Sequence, residues 1–297
     1  MHRSRSKPRY DNKVAYAMLL PILALLTVFV IIPFVYAIRV SFYDWSFYQD
    51  SVYVGFRNFT NVLTDPLFTK SILIGLRFSL MVVPVQLVLA FLFAHVIKGM
   101  GRRGSGFVKT SIYIPTIISG IIASIVFAFI YDYDAGLANY LFGLVGLEKI
   151  AWIADVRTAL ASIAVPVVWL GFGITTLIML AGLLDIPESY YEAAELEGAG
   201  GLTKMLRITL PLLKNVILYL LITGFTGAVQ QFELPLVMTG GGPLNETQTP
   251  NLYIFNHFRN DVLVGHSIAS ALLLFLVLGS ISAIIFKVLN SDKAVDG

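Results

Sequence analysis

The chain has 297 residues, no cysteine, 57% hydrophobic and 13% charged residues, and a formal net charge of +3. The charged share is about half that of a typical soluble domain, too little to cover a water-facing surface. With a mean hydropathy of +0.79, the composition excludes disorder and points to the bilayer. Without cysteine there are no disulfides, thiolate metal sites or cysteine nucleophiles. The small basic excess is read as a signal orienting the chain in a membrane, and no nucleic-acid partner is expected.

A bilayer core takes about 20 apolar residues as helix. Six runs lack Asp, Glu, Lys and Arg for long enough: 14–38, 78–97, 110–131, 158–184, 215–232 and 262–286. Arg77 can snorkel, and the fifth run can pass Glu233. Spans are therefore expected at about 14–38, 72–97, 108–131, 158–184, 213–238 and 262–288. They form an all-α membrane domain over 14–290, between tails at 1–13 and 291–297. Pro21, Pro33, Pro84, Pro115 and Pro166 lie in these runs; packing can satisfy the carbonyls they free. The first run exceeds the h-region of a signal peptide and is read as a retained span.

Lys and Arg alternate between loops. Fourteen fall on one side: Arg3, Arg5, Lys7, Arg9, Lys13, Lys98, Arg102, Arg103, Lys109, Lys204, Arg207, Lys214, Lys287 and Lys293. Five fall opposite: Arg57, Lys70, Lys149, Arg157 and Arg259. The asymmetry puts both termini in the cytoplasm of a multi-pass plasma-membrane protein.

Several motifs fail on context. Gly99 to Gly104 spells a dinucleotide fingerprint, but it follows a membrane run rather than a strand. There is no P-loop. His2, His95, His257 and His266 include no pair spaced as metal ligands on one helical turn, so no metal site is expected. No serine, histidine and acid converge within the spans.

The loop at 185–211 carries the strongest signal. Asp185 reads as an N-cap with Glu188 completing a capping box. Glu188, Glu192 and Glu195 share one helical face, and Gly198 suits a C′ position. A second short helix runs through Leu202 and Leu206 toward Pro211. The first helix is acidic, whereas interfacial helices favour Lys and Arg. It reads as a surface built to meet a protein.

Glu192, Ala193 and Ala194, then Gly198, Ile208, Leu210 and Pro211, match the spacing of the EAA loop of ABC importer permeases. Glu197 and Met205 stand where that pattern more often has aspartate and an aromatic. Ser41-Phe42, Trp45, the segment from Val54 to Phe59, Asn139, Trp152 and Ala181-Gly182-Leu183 also fit the carbohydrate-uptake group. So does Thr239, Gly240, Gly241, Gly242, Pro243, followed by Thr247. The chain thus resembles the first membrane subunit of maltose- and glycerol-phosphate-type importers, without the long extracellular insert of the maltose subunit.

The resemblance implies a six-span type I importer fold that is not itself an enzyme. Glu192, Ala193, Ala194, Gly198, Ile208, Leu210 and Pro211 would couple to the ATPase. The loop from Thr239 to Pro243 would face an extracellular solute-binding protein. A second permease subunit would complete a heterodimer, and two ATP-binding subunits would hold the ATP and magnesium, leaving this chain without a cofactor. Polyamine or phosphate import is the alternative within the family. An ion-coupled carrier is the alternative outside it, and would want a carboxylate near the midplane.

Polar groups within spans suggest the substrate path. A sugar suits amides and a carboxylate beside an aromatic plate, which suggests Trp169, Gln230, Gln231 and Glu233; the resemblance to maltose-type permeases implies contacts near Trp169 to Gly171 and near Gln231. Gln86 and His95 read instead as packing groups.

Overall fold

The computed structural model describes residues 12–45, 50–260 and 262–289. The expected tails, apart from Asn12 and Lys13, lie outside them, as do Arg3, Arg5, Lys7, Arg9 and Lys293.

Helix α1 (Asn12–Leu26) passes through a wide π-helical turn at Thr27–Ile31 into α2 (Ile32–Val40), making the first span. A second π turn, Met205–Thr209, lies between α10 (Gly201–Lys204) and α11 (Leu210–Leu212). Both turns sit just before a proline. Pro33 and Pro211 lack an N–H, and their rings crowd the carbonyl four residues back, at Phe29 and Arg207. Those carbonyls fall inside the wide turns. There Ile32 N–H reaches Thr27 O and Leu210 N–H reaches Met205 O, five residues back rather than four.

After the first span, β1 (Tyr43–Asp44) pairs antiparallel with β2 (Val52–Tyr53), followed by α3 (Arg57–Thr64). Asn58 is buried and donates to Ser41 O at 2.9 Å and Tyr43 O at 3.0 Å. This explains the motif around Phe56 and Asn58: the amide ties the hairpin to the bundle.

The second span is α4 (Pro66–Lys98), about 50 Å long at 1.5 Å per residue. It starts before the expected residue 72 because Asp65 caps it, accepting Leu67 N–H at 2.8 Å, with Pro66 in the first turn. The third span departs most from expectation. Instead of one helix it is α5 (Arg102–Ile117) and α6 (Gly120–Ile130), bent by 94°. Pro115 sits in the last turn of α5, Ile118 and Ser119 are extended, and the Ser119 hydroxyl accepts Ile121 N–H to start α6. A surface helix, α7 (Leu137–Leu144), leads to α8 (Ala159–Asp185), the fourth span.

Asp185 ends α8 and caps nothing, contrary to the capping-box reading. Pro187 holds Ile186 extended, so α9 (Ser189–Leu196) starts only after it. The fifth span is α12 (Lys214–Val229) and α13 (Glu233–Met238), interrupted at 230–232. The freed carbonyls are taken by the start of the next helix: Asn251 donates to Gln230 O at 2.8 Å and the Thr249 hydroxyl to Gln231 O at 2.6 Å. Then come α14 (Pro250–Arg259) and α15 (Val264–Leu289), the last span. Among the described residues five spans are long and apolar enough to cross a membrane, and the bent α5–α6 pair makes six.

The core lies along the seam between α4 and α8. One layer joins Ile74, Phe78 and Val82 to Leu160 and Ile163, with Leu234 and Met238 of α13. A second joins Ala90, Ala94 and Ile97 to Met179, Leu180 and Leu183, with Leu213 and Leu220. The first span stands apart, meeting α15 through Phe34 and Phe275, whose ring centroids are 6.0 Å apart. Where α5 crosses α8, a Cβ on Gly173 would overlap the Ile112 carbonyl oxygen. Gly173→Val should therefore destabilise the bundle by about 1–3 kcal/mol through overpacking. Gly279→Ala, which meets nothing within 4 Å, should be near neutral. Melting of the two variants in detergent checks the difference.

Candidate translocation cavity and coupling loop

A cavity of about 690 Å³ opens between α4, α8, α12 and the two helix breaks. Its polar lining is Gln86, Thr175, Tyr219, Thr223, Gln230, Gln231 and Glu233, set among Val83, Leu170, Ile174 and Gly227. The breaks create it. The bend before α6 exposes Gly120, and the Glu233 carboxylate lies where a Gly120 side chain would stand. The break after α12 turns Gln230 and Gln231 into the same space.

Gly171, Gln230, Gln231 and Glu233 all line this cavity. Trp169 does not; it is partly exposed on α8 and packs against Phe127 at 5.7 Å. Gln86, expected as a packing group, lies on the wall. Its amide donates to Val167 O at 3.2 Å and fills the space left by Gly171. A polar residue in mid-span was the available signal; Thr175, Thr223 and Tyr219 gave none, since hydroxyls also bond within their own helices. Thr223 does so, to Tyr219 O at 2.8 Å. His95 faces a separate recess at the other end of α4, among Lys98, Tyr191 and Lys204.

That recess belongs to the loop at 185–211. The end of α9 is a Schellman turn: Gly198 has φ +77, its N–H bonds Glu195 O, and Ala199 N–H bonds Ala194 O, both at 2.9 Å. Two acids of the predicted face are held within the chain. Glu188 lies 3.7 Å from Lys98 and Glu195 2.6 Å from Lys204. The Lys204 hydrogen bond, then its charge, holds the Glu195 carboxyl below the ordinary range. The bridge therefore survives through the usual glutamate titration and is lost only as pH falls below it; being exposed, it adds little stability. Tyr191 joins α9 to the π turn through its hydroxyl, 3.0 Å from the Thr209 hydroxyl, and Lys98 sits over its ring at 4.7 Å. Glu192 and Ala193 face outward, with no ion pair from Glu192 among the described residues. Leu196, unnoticed in the sequence, is 92% exposed at the tip. Ile208, Leu210 and Pro211 lie away from the tip, in the ascent to α12.

At the opposite end of α4, the segment from Thr239 to Pro243 forms a knotted turn. Gly240 and Gly241 have φ +60 and +94. The hydroxyls of Thr239 and Thr247 lie 2.7 Å apart, and Thr247 donates to Gly242 O at 2.7 Å. Lys70 pins the turn to α4, bonding Leu244 O at 2.8 Å and Glu246 at 2.7 Å. Leu244 projects from it, 77% exposed.

Residues 78–294 match the family described as binding-protein-dependent transport system inner membrane component. The chain belongs to that family. The trehalose/maltose transport system permease protein MalF of Thermococcus litoralis is 32% identical over 286 residues, 95% of this chain and 96% of its own length. The sulfoquinovosyl glycerol transport system permease protein SmoG of Agrobacterium fabrum is 29% identical, over 95% of this chain and 92% of its own. The fold is similar to that of a chain in the crystal structure of a bacterial ABC transporter involved in the import of the acidic polysaccharide alginate. The TM-score is 0.80, at 21% identity over 95% of this chain and 96% of that one. This ABC permease is thus a membrane-embedded transport component.

No atom lies within 4 Å of a Cβ placed on Gly198, so its substitution meets backbone strain alone, roughly 1–2 kcal/mol at positive φ. Gly198→Val should raise the amide hydrogen-exchange rate at Ala199 by about tenfold, while Gly198→Asn, which tolerates this conformation, should change it much less.

Proposed function

We propose that this permease is one of two different membrane subunits of a carbohydrate ABC importer, and that α9 is its coupling helix. The sugar assignment draws on the relatives, named for trehalose/maltose and sulfoquinovosyl glycerol, and on the alginate importer whose fold is alike. The lining chemistry supports it. Gln86, Gln231 and Glu233 offer hydrogen-bond partners for ring hydroxyls, and the apolar wall between them suits the C–H faces. An extracellular binding protein delivers the sugar at the knotted turn, where Leu244 projects. Two cytoplasmic ATPase subunits carry the ATP and magnesium, and both termini face them.

The observation that carries the coupling role is the tip of α9. Lys98 and Lys204 engage the flanking acids, leaving Glu192 beside Leu196 as a rigid acidic and apolar projection. Such a pair fits a cleft with a basic group and an apolar floor. Glu192→Lys and Leu196→Asp should each cut binding-protein-stimulated ATPase activity and uptake at least tenfold while leaving the melting temperature near that of the parent. A connector resting on anionic lipid would tolerate Glu192→Lys or gain from it, so normal uptake in that variant removes the coupling role.

The orientation has its own test. Leu244→Cys places a single thiol in a cysteine-free chain. It should react with a membrane-impermeant maleimide in intact cells; labelling only after lysis reverses the map.

A further inference from the structure

Three ionisable side chains from separate elements converge at the end of the bundle away from the coupling loop. Asp65 caps α4, His257 lies in the last turn of α14 and His266 in the first turn of α15. One donor atom from each lies within 4.8 Å of the others. The two imidazoles stack with centroids 4.9 Å apart and planes 27° from parallel. The Tyr253 hydroxyl stands among them, donating to Asp65 Oδ2 at 2.5 Å and accepting from His266 Nε2–H at 2.9 Å, a proton that a metal at Nε2 would displace. Tyr253 is fully buried, and His266 is buried beside it. The transport reading uses none of these groups, and none lines the cavity.

The bonds around the cluster resemble supports for metal ligands. His257 Nδ1 lies 3.0 Å from Tyr253 O. A carbonyl can only accept, so Nδ1 is the donor in this contact, and Nε2 is the nitrogen that would have to coordinate the metal. That Nε2 points toward Asp65, 4.0 Å from Oδ2. The other Asp65 oxygen is held by Leu67 N–H. An imidazole anchored through its far nitrogen on a backbone carbonyl, and a carboxylate fixed by its second oxygen, are the outer contacts that orient metal ligands. Two imidazole nitrogens with carboxylate and phenol oxygens suit zinc. Bonds of about 2.0–2.1 Å require donor–donor edges of roughly 3.3–3.4 Å in a tetrahedron. The observed 2.5, 2.9 and 4.0 Å bracket that edge, so small side-chain shifts close the site.

We propose that Asp65, His257 and His266, with the Tyr253 hydroxyl as fourth donor, bind a divalent transition cation of the zinc class. The ion ties the start of α4 to α14 and α15, fastening three elements where the loops emerge. Sequence spacing hid the site, because His257 and His266 lie on different helices joined by a turn in which Val262 has φ +56.

The test uses the full chain in detergent, with any affinity tag removed and the protein treated with chelator, then titrated with zinc chloride. One zinc per chain should bind and raise the melting temperature. Cobalt in its place should give the visible absorption of a four-coordinate site. His257→Ala and Asp65→Asn should each weaken zinc binding by more than about tenfold, and Tyr253→Phe by a smaller factor. His95→Ala, at the other end of α4, should leave it unchanged. Zinc binding no tighter than in a His257→Ala, His266→Ala double variant would overturn the site and leave a metal-free hydrogen-bonded latch. Should the variants fail to fold, absence of the cobalt spectrum in the parent chain overturns it equally.

Discussion

The packing of α4 along α8 is the constraint on which the other features rest. Small residues at one end, Ala90 and Ala94, let the helices approach, while Phe78 and Ile163 fill the seam at the other. The result is a stiff pair running the length of the bundle. Asp65 bonds Tyr253 of α14 and Lys70 bonds the distal turn at one end of α4; Lys98 holds α9 at the other. In the proposed coupling role, α9 would move a helix already joined to the cavity wall, because Gln86 and Val83 lie midway along α4.

The cavity exists because the neighbouring spans are not continuous. Helix α6 starts beside α13, and the Glu233 carboxylate occupies the volume that Gly120 leaves vacant. Irregular backbone at membrane depth is tolerated where it lines a cavity or is buried in protein, and both conditions hold. The interruption after α12 has its carbonyls bonded by Thr249 and Asn251, at the start of α14. The start of α14 thus satisfies the broken span, while the distal turn before it presents Leu244.

Much of this was legible in the sequence where the cause is local. Apolar runs longer than a bilayer core needs gave the spans. Gly198 could be read as a helix end because few other residues accept positive φ. Gln230, Gln231 and Glu233 stood out because polarity in a span is costly. What the sequence hid depends on neighbours. Pro115 could kink a helix or end it; Ser119 and the space beneath Glu233 decide for a break. Asp185 had the chemistry of an N-cap, but Pro187 delays the helix beyond its reach. Trp169 lies near the cavity in sequence and turns toward Phe127 instead. Gln86 holds a backbone carbonyl and lines the cavity at once, so the choice between packing and path was never exclusive. The His257–His266 contact is tertiary and left no periodic trace.

The central claim is that the space between α4, α8 and α12 is the route of transport. Its most direct measurement is the reactivity of a single thiol at Thr223→Cys, a near-isosteric change on the cavity wall in a cysteine-free chain. In the assembled transporter, alkylation from each side of the membrane is compared between the nucleotide-free and ATP-trapped states, with and without the transported sugar. The account predicts that the reactive side switches between the two states and that sugar slows labelling. A rate unchanged by nucleotide state and by sugar would show that the cavity is not the path.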